Sequence, residues 1–136
     1  MRIVLDTNVF ISGVFFNGPP YKILEAWRDG RLVLVVSPAI LEEYYRVGEN
    51  LSSRYPEVDI TPVLEFVTIN AEIVSPPYFA RPICTDPDDD KFFTCAIAAR
   101  CPVIVSGDKH LLSKSGFCGV LVRKPRDFMD KLSHTK

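Results

Sequence analysis

Eight carboxylates stand where chemistry could be done: Asp6, Glu42, Glu43, Asp86, Asp88, Asp89, Asp90 and Asp108. Asp6 ends the apolar run Arg2–Leu5, and Asp108 follows the run Pro102–Val105 through Ser106-Gly107. Each acid also has a plain structural use. Asp6 can cap the helical pattern that begins near Val9, and Asp88, Asp89 and Asp90 suit the positive end of a helix. Glu42 and Glu43 can be solvated helix surface, and Asp108 can share a turn with Gly107. Gathered in one place, the acids would repel each other by about 4 kcal/mol per pair at ~4 Å and an effective dielectric near 20. Protonation or a bound cation would relieve that repulsion. All-oxygen ligands select Mg²⁺ or Mn²⁺, and such a site suits phosphoryl chemistry.

The remaining chemistry-bearing residues argue against other sites. Cys84, Cys95, Cys101 and Cys118 form no C-x-x-C pair and have no neighbouring histidine, which speaks against zinc. They read as small buried hydrophobes in a reducing compartment. His110 and His134 are too scattered for a metal cluster or a triad. The formal net charge of −1 supplies no global pull on nucleic acid, so a polyanion must be held locally or through a cation.

The acids can converge only if the elements between them allow it. The 136 residues suit one domain, expected over 1–132, with a polar tail at 133–136. A hydrophobic share of 47% with 24% charged residues is that of a folded globular chain. No apolar run approaches the roughly 20 residues of a membrane span, and Met1–Asp6 is unlike a signal peptide, so a cytoplasmic location is expected.

Strands are expected at Arg2–Leu5, Leu32–Val36, Ala71–Val74, Pro102–Val105 and Val120–Val122. Helices are expected from Val9 to Val14, at Tyr21–Arg28, from Ser37-Pro38 through Val47, and at Thr61–Asn70, Lys91–Arg100 and Pro125–Leu132. Asn50–Asp59 and the proline-rich Ser75–Pro87 read as loops. The alternation predicts an α/β layer structure with a mostly parallel sheet. In such sheets the functional crevice lies beyond the carboxyl ends of the strands, where Asp6 and Asp108 stand.

At these positions the chain resembles the PIN-domain ribonucleases, in particular the prokaryotic toxin-component type. The segments Ile3–Val9, Ser37–Tyr44, Asp86–Phe92 and Val103–Asp108 carry the resemblance, in that order and spacing. It implies a three-layer α/β/α fold with a five-stranded parallel sheet, order 3-2-1-4-5, which sets Asp6 beside Asp108. It also implies Mg²⁺- or Mn²⁺-dependent endonucleolytic cleavage of RNA by hydroxide, with one or two ions.

Carried onto matching positions, the resemblance makes Asp6, Glu43, Asp89 and Asp108 the metal-binding, catalytic carboxylates. Thr7, Asn8 and Ser106 become the groups that steady them. Glu42 and Glu43 point about 100° apart on a helix, and the stripe Ile40, Tyr44, Val47 favours Glu43 for the pocket. Asp86, Asp90 and Glu42 are the reserve acids. Lys109, Arg123, Lys124 and Arg126 are candidates for phosphate contacts, because they follow the fourth and fifth strands; Arg46, Arg54 and Arg81 are weaker ones. A small antitoxin protein and a homodimeric partner complete what the resemblance implies.

Two other readings compete. A phosphatase of the haloacid-dehalogenase type also uses a strand-end Asp with Mg²⁺, but wants a second acid where Asn8 stands, and a longer chain. The same fold could also be a non-catalytic module that binds RNA or protein.

Overall fold

Five short parallel strands form the sheet of the computed structural model, which describes residues 1–77 and 82–134, with only the backbone of His134. Arg81 and part of the Ser75–Pro87 loop therefore lie outside the described residues, as do 135 and 136 of the tail. The strands are β1 (Arg2–Leu5), β2 (Val33–Val36), β3 (Glu72–Ile73), β4 (Val103–Val105) and β5 (Leu121–Arg123). Their order is β3-β2-β1-β4-β5, between helices in three layers. β1 is central: Ile3 pairs with Leu34 of β2 and with Val103 of β4, and Leu5 with Val105. Chain direction reverses across the sheet at the β1–β4 boundary, so both carboxyl ends open on the same crevice.

The central strands are apolar throughout because both faces are covered. Ile3, Val4, Leu34, Val35, Val36, Ile104 and Val105 are completely buried. Val33, expected to be covered as well, is exposed at the start of β2.

The helices are α1 (Thr7–Phe15), α2 (Pro19–Arg28), α3 (Pro38–Ser52), α4 (Thr61–Asn70), α5 (Asp90–Ala98), α6 (Lys109–Leu112) and α7 (Pro125–His134). Several differ from expectation for local reasons. α2 starts two residues before Tyr21, because Pro19 and Pro20 form its first turn, where a fixed φ and a missing N–H are harmless. α3 continues through Asn50 to Ser52, and along it Gly48 lets Ile60 close over the flank of the helix: a Cβ there would stand 2.5 Å from Ile60 Cδ1. Arg100, with φ 53°, turns the chain in the left-handed region just after α5, so that helix stops at Ala98. α6 is too short to show a period in the sequence.

α1 packs on α2 and α3, and α5 lies against β1, β2 and β4. Gly13 permits the first of these contacts, since a Cβ there would meet Pro20 O at 2.8 Å. Tyr44 of α3 ties the layers to the end of β1. Its ring stacks on Phe10 of α1 at 4.1 Å, and its hydroxyl donates to the Leu5 carbonyl at 2.6 Å. Among the described residues no helix is long and apolar enough to cross a membrane.

Tyr44→Phe should keep the stacking but deprive the Leu5 carbonyl of this donor. The expected loss is about 1–3 kcal/mol, read as a lower urea midpoint at unchanged m. An unshifted midpoint would show that the buried hydroxyl contributes nothing.

Candidate active site

Asp6 follows β1 directly, and both its oxygens are used. Oδ1 accepts from the Val9 amide at 2.7 Å, capping α1, while Oδ2 accepts the hydroxyl of Ser106. Ser106 follows β4, is fully buried, and also accepts the Asp108 amide at 3.0 Å. One hydroxyl thus links the ends of the two central strands. Asp108 in turn caps α6, its Oδ1 accepting from the His110 amide at 2.7 Å.

Glu43 comes from the other side, on α3. Ser37 starts that helix, its hydroxyl accepting from the Ile40 amide, and Pro38 occupies the first turn. Glu43 is 9% exposed and faces inward, whereas the Glu42 side chain is 77% exposed and lies 4.0 Å from Arg46. The helix face therefore resolves the pair as the apolar stripe suggests. Thr7 donates its hydroxyl to Glu43 Oε2, and Lys91 donates to Oε1 at 2.6 Å.

Asp89 closes a 3-10 turn, Pro87–Asp89, ahead of α5. Asp86 caps that turn, accepting the Asp88 amide at 3.0 Å. Asp90 is occupied elsewhere, accepting the Ile83 and Cys84 amides at 3.2 and 2.7 Å. It anchors the preceding loop.

Asp6, Glu43, Asp89 and Asp108 all border one open hollow of about 210 Å³. Thr7, Asn8 and Asp88 share its wall, and Phe92, Val47 and Leu111 its apolar part. Asp86 borders a neighbouring hollow with Asp89, Asp108 and His110. The basic candidates are placed otherwise: Lys109, Arg123, Lys124 and Arg126 do not line the acidic hollow. Lys109, Lys124 and Arg126 are exposed. Alternation along β5 buries Val122 and turns Arg123 to a different hollow with Met1, Arg31 and Phe128. Pro125, between Lys124 and Arg126, does border a hollow shared with Asp6, Asn8 and Asp108.

The family model described as "PIN domain" matches residues 2–110, which contain all four acids. An uncharacterized protein of Methanocaldococcus jannaschii is 32% identical over 116 residues, covering 83% of this chain and 74% of that protein. The chain belongs to the PIN-domain family. PIN domains have a nuclease-type fold and in general use divalent metal ions.

The electrostatics of this PIN domain divide the site in two. Burial pushes Asp6 up to about 6 from an ordinary 3.8; the bonds from Ser106 and Val9 oppose the shift, and the charges of Asp108 and Asp89 add to it. Asp89 is also raised, first by burial and then by Asp108, Asp86 and Asp88, with His110 opposing. On the other half, Lys91 bonds to Asp88 at 3.0 Å and holds its carboxyl below the usual range, against a smaller effect of burial. Burial works against the Lys91 ammonium, but Glu43 and Asp88 outweigh it and raise its pKa.

Lys91 is the site residue that sequence reasoning missed. Its i,i+3 spacing from Asp88 was visible, but its reach to Glu43 crosses 48 residues. In kind the oxygen donors fit a hard divalent ion, and among the described residues no lysine or arginine pairs with Asp6, Asp89 or Asp108. As the side chains stand, no three Asp, Glu, His or Cys groups among the described residues are arranged to hold one ion. Ligation therefore requires side chains to turn.

Between about pH 4 and 6 the folded chain keeps a proton on Asp6 that the unfolded chain releases. Metal-free stability should fall as pH rises through that window and level off above it, by roughly 3 kcal/mol for a shift of about two units. Asp6→Asn keeps an acceptor for the Val9 amide and removes the charge. Urea unfolding in EDTA from pH 4 to 7.5 should show a flatter profile for the variant, more stable by about 1–2 kcal/mol at neutral pH. Identical profiles would place the titration elsewhere.

Proposed function

We propose that this PIN domain is a divalent-metal-dependent endoribonuclease that hydrolyses RNA phosphodiesters at the acidic hollow. The observation that carries the reading is the crowding of Asp6, Asp89 and Asp108 beyond β1 and β4, where no lysine or arginine of the described residues pairs with them. Left alone, such a hollow repels a phosphodiester. A bound Mg²⁺ or Mn²⁺ would reverse that sign, acidify a water and offset charge on the departing oxygen.

The chain's own residues orient and select. Ser106 fixes the Asp6 carboxylate against the Asp108 turn, and Thr7 fixes Glu43. Asn8, exposed at the rim, offers an amide to a sugar or phosphate oxygen. The exposed Lys109, Lys124 and Arg126 would hold phosphates flanking the scissile one. An open hollow accepts a strand laid across it, which suits cleavage within a chain. A role as the toxin component of a toxin–antitoxin pair belongs to the same reading, with a small antitoxin partner, a homodimeric state and a cytoplasmic location. That part is supported by the sequence resemblance alone.

Cleavage of single-stranded RNA in Mg²⁺ or Mn²⁺ should fall at least about 100-fold in Asp6→Asn and in Asp108→Asn, with circular dichroism unchanged. EDTA should abolish wild-type cleavage. Undiminished cutting by both variants, or in EDTA, would remove the site from the reaction.

A further inference from the structure

Two acids of the hollow, Glu43 and Asp88, already share one positive charge that belongs to the protein. Lys91 leaves the first turn of α5, is 14% exposed along its side chain, and reaches Glu43 Oε1 at 2.6 Å and Asp88 Oδ1 at 3.0 Å. Its pairing with Asp88, which is 66% exposed, is an ordinary helix-surface contact of small consequence. The pairing with Glu43 is different, because that side chain is 11% exposed and comes from another helix. Breaking a buried pair of this kind leaves a charge that something must neutralise. Glu43 is also saturated at its other oxygen by Thr7, with Arg46 3.6 Å from the first.

Asp6, Asp89 and Asp108 have no such cation within the described residues. The side chain of Asp89 accepts no capping hydrogen bond, and the bonds to Asp108 all reach Oδ1. The four carboxylates are thus unequal: one is already neutralised from within, and three await a charge from outside.

We propose that Lys91 is the resident counter-cation of the site, holding Glu43 and Asp88 so that a divalent ion falls to Asp6, Asp89 and Asp108 and the chain takes one ion rather than two. This rests on the metal-dependent reading above and refines it. Lys91 is a positioning residue: it acts through Glu43. A tethered ammonium balances charge but cannot act as a Lewis acid, so it lowers the repulsion in the hollow without competing for water. It also gives the buried Glu43 a partner before any ion arrives.

The test is a calorimetric titration of Mn²⁺ into the full chain at pH 7.5, with thermal melts in EDTA beside it. Wild type should bind one ion, and Asp6→Asn or Asp108→Asn should weaken it. Lys91→Met keeps the apolar stem and takes the ammonium from Glu43, leaving it Thr7 and the mostly exposed Arg46, so Mn²⁺ should bind about tenfold more tightly, the scale on which groups touching a ligand act. Lys91→Arg should restore wild-type affinity, and Lys91→Met combined with Glu43→Gln should cancel the gain. Lys91→Gln serves as the second uncharged variant should Lys91→Met fail to fold. Two ions on the wild type, or unchanged affinity in the folded uncharged variant, overturns the proposal while leaving the metal-dependent reading intact. No Mn²⁺ binding by wild type and Lys91→Met alike overturns both.

Discussion

Ser106 places one hydroxyl between the Asp6 carboxylate and the backbone amide of Asp108, and the active end of the molecule is organised around that contact. It donates to Asp6 after β1 and accepts the amide of Asp108 after β4. The two strands are neighbours only because the sheet order runs β3-β2-β1-β4-β5. Everything that stabilises the β1–β4 pairing therefore also holds like charges together. The apolar burial of Ile3, Val4, Ile104 and Val105 supplies the favourable energy. Asp6, pushed up to about 6 first by its burial and further by the charges of Asp108 and Asp89, is where the opposing cost appears.

That cost explains how the surrounding helices are arranged. α3 and α5 bring more acid to the hollow, and with it Lys91, the only cation of the described residues hydrogen-bonded to two of its acids. Repulsion is thus cancelled on the Glu43 side and left standing on the Asp6 side. A site fully neutralised from within would have no affinity for a divalent ion. One with no internal cation would be harder to fold without metal. The present division keeps the fold intact and the affinity directed.

Much of this was legible in the sequence. Unbroken apolar runs ending in Asp6 and in Ser106-Gly107-Asp108 mark buried parallel strands and the edge they open on. Ser37-Pro38 marks the start of α3, and the stripe Ile40, Tyr44, Val47 correctly turns Glu43 inward and Glu42 out. What was not legible depends on contacts between distant segments. Asp90 lies in the same acidic run as Asp89, yet it holds the Ile83 and Cys84 amides instead of facing the hollow. Arg123, expected to follow a strand as Asp108 does, is the last residue of β5 and lines another hollow. The chain does break between α1 and α2, but Pro19 and Pro20 belong to the first turn of α2, because proline suits a helix start as well as a break. Lys91 carries only its i,i+3 spacing from Asp88 as a local mark, and nothing local to show its reach to Glu43.

The plain and the chemical readings of the two strand-end acids also turn out not to exclude each other. Asp6 does cap α1 and Asp108 does cap α6, as residues in those positions commonly do. Capping uses Oδ1 in both cases, through the Val9 amide in one and the His110 and Leu111 amides in the other. The second oxygen of each is directed to other business: that of Asp6 meets Ser106, and that of Asp108 carries no hydrogen bond among the described residues. Capping is what makes the second role possible. Backbone amides that grip one oxygen fix the orientation of each carboxylate, and at Asp6 the Val9 amide also favours the charged form against burial and the neighbouring acids. A longer acid at either position could reach the hollow but could not keep that grip. The short side chain is required by the helix start and the site together.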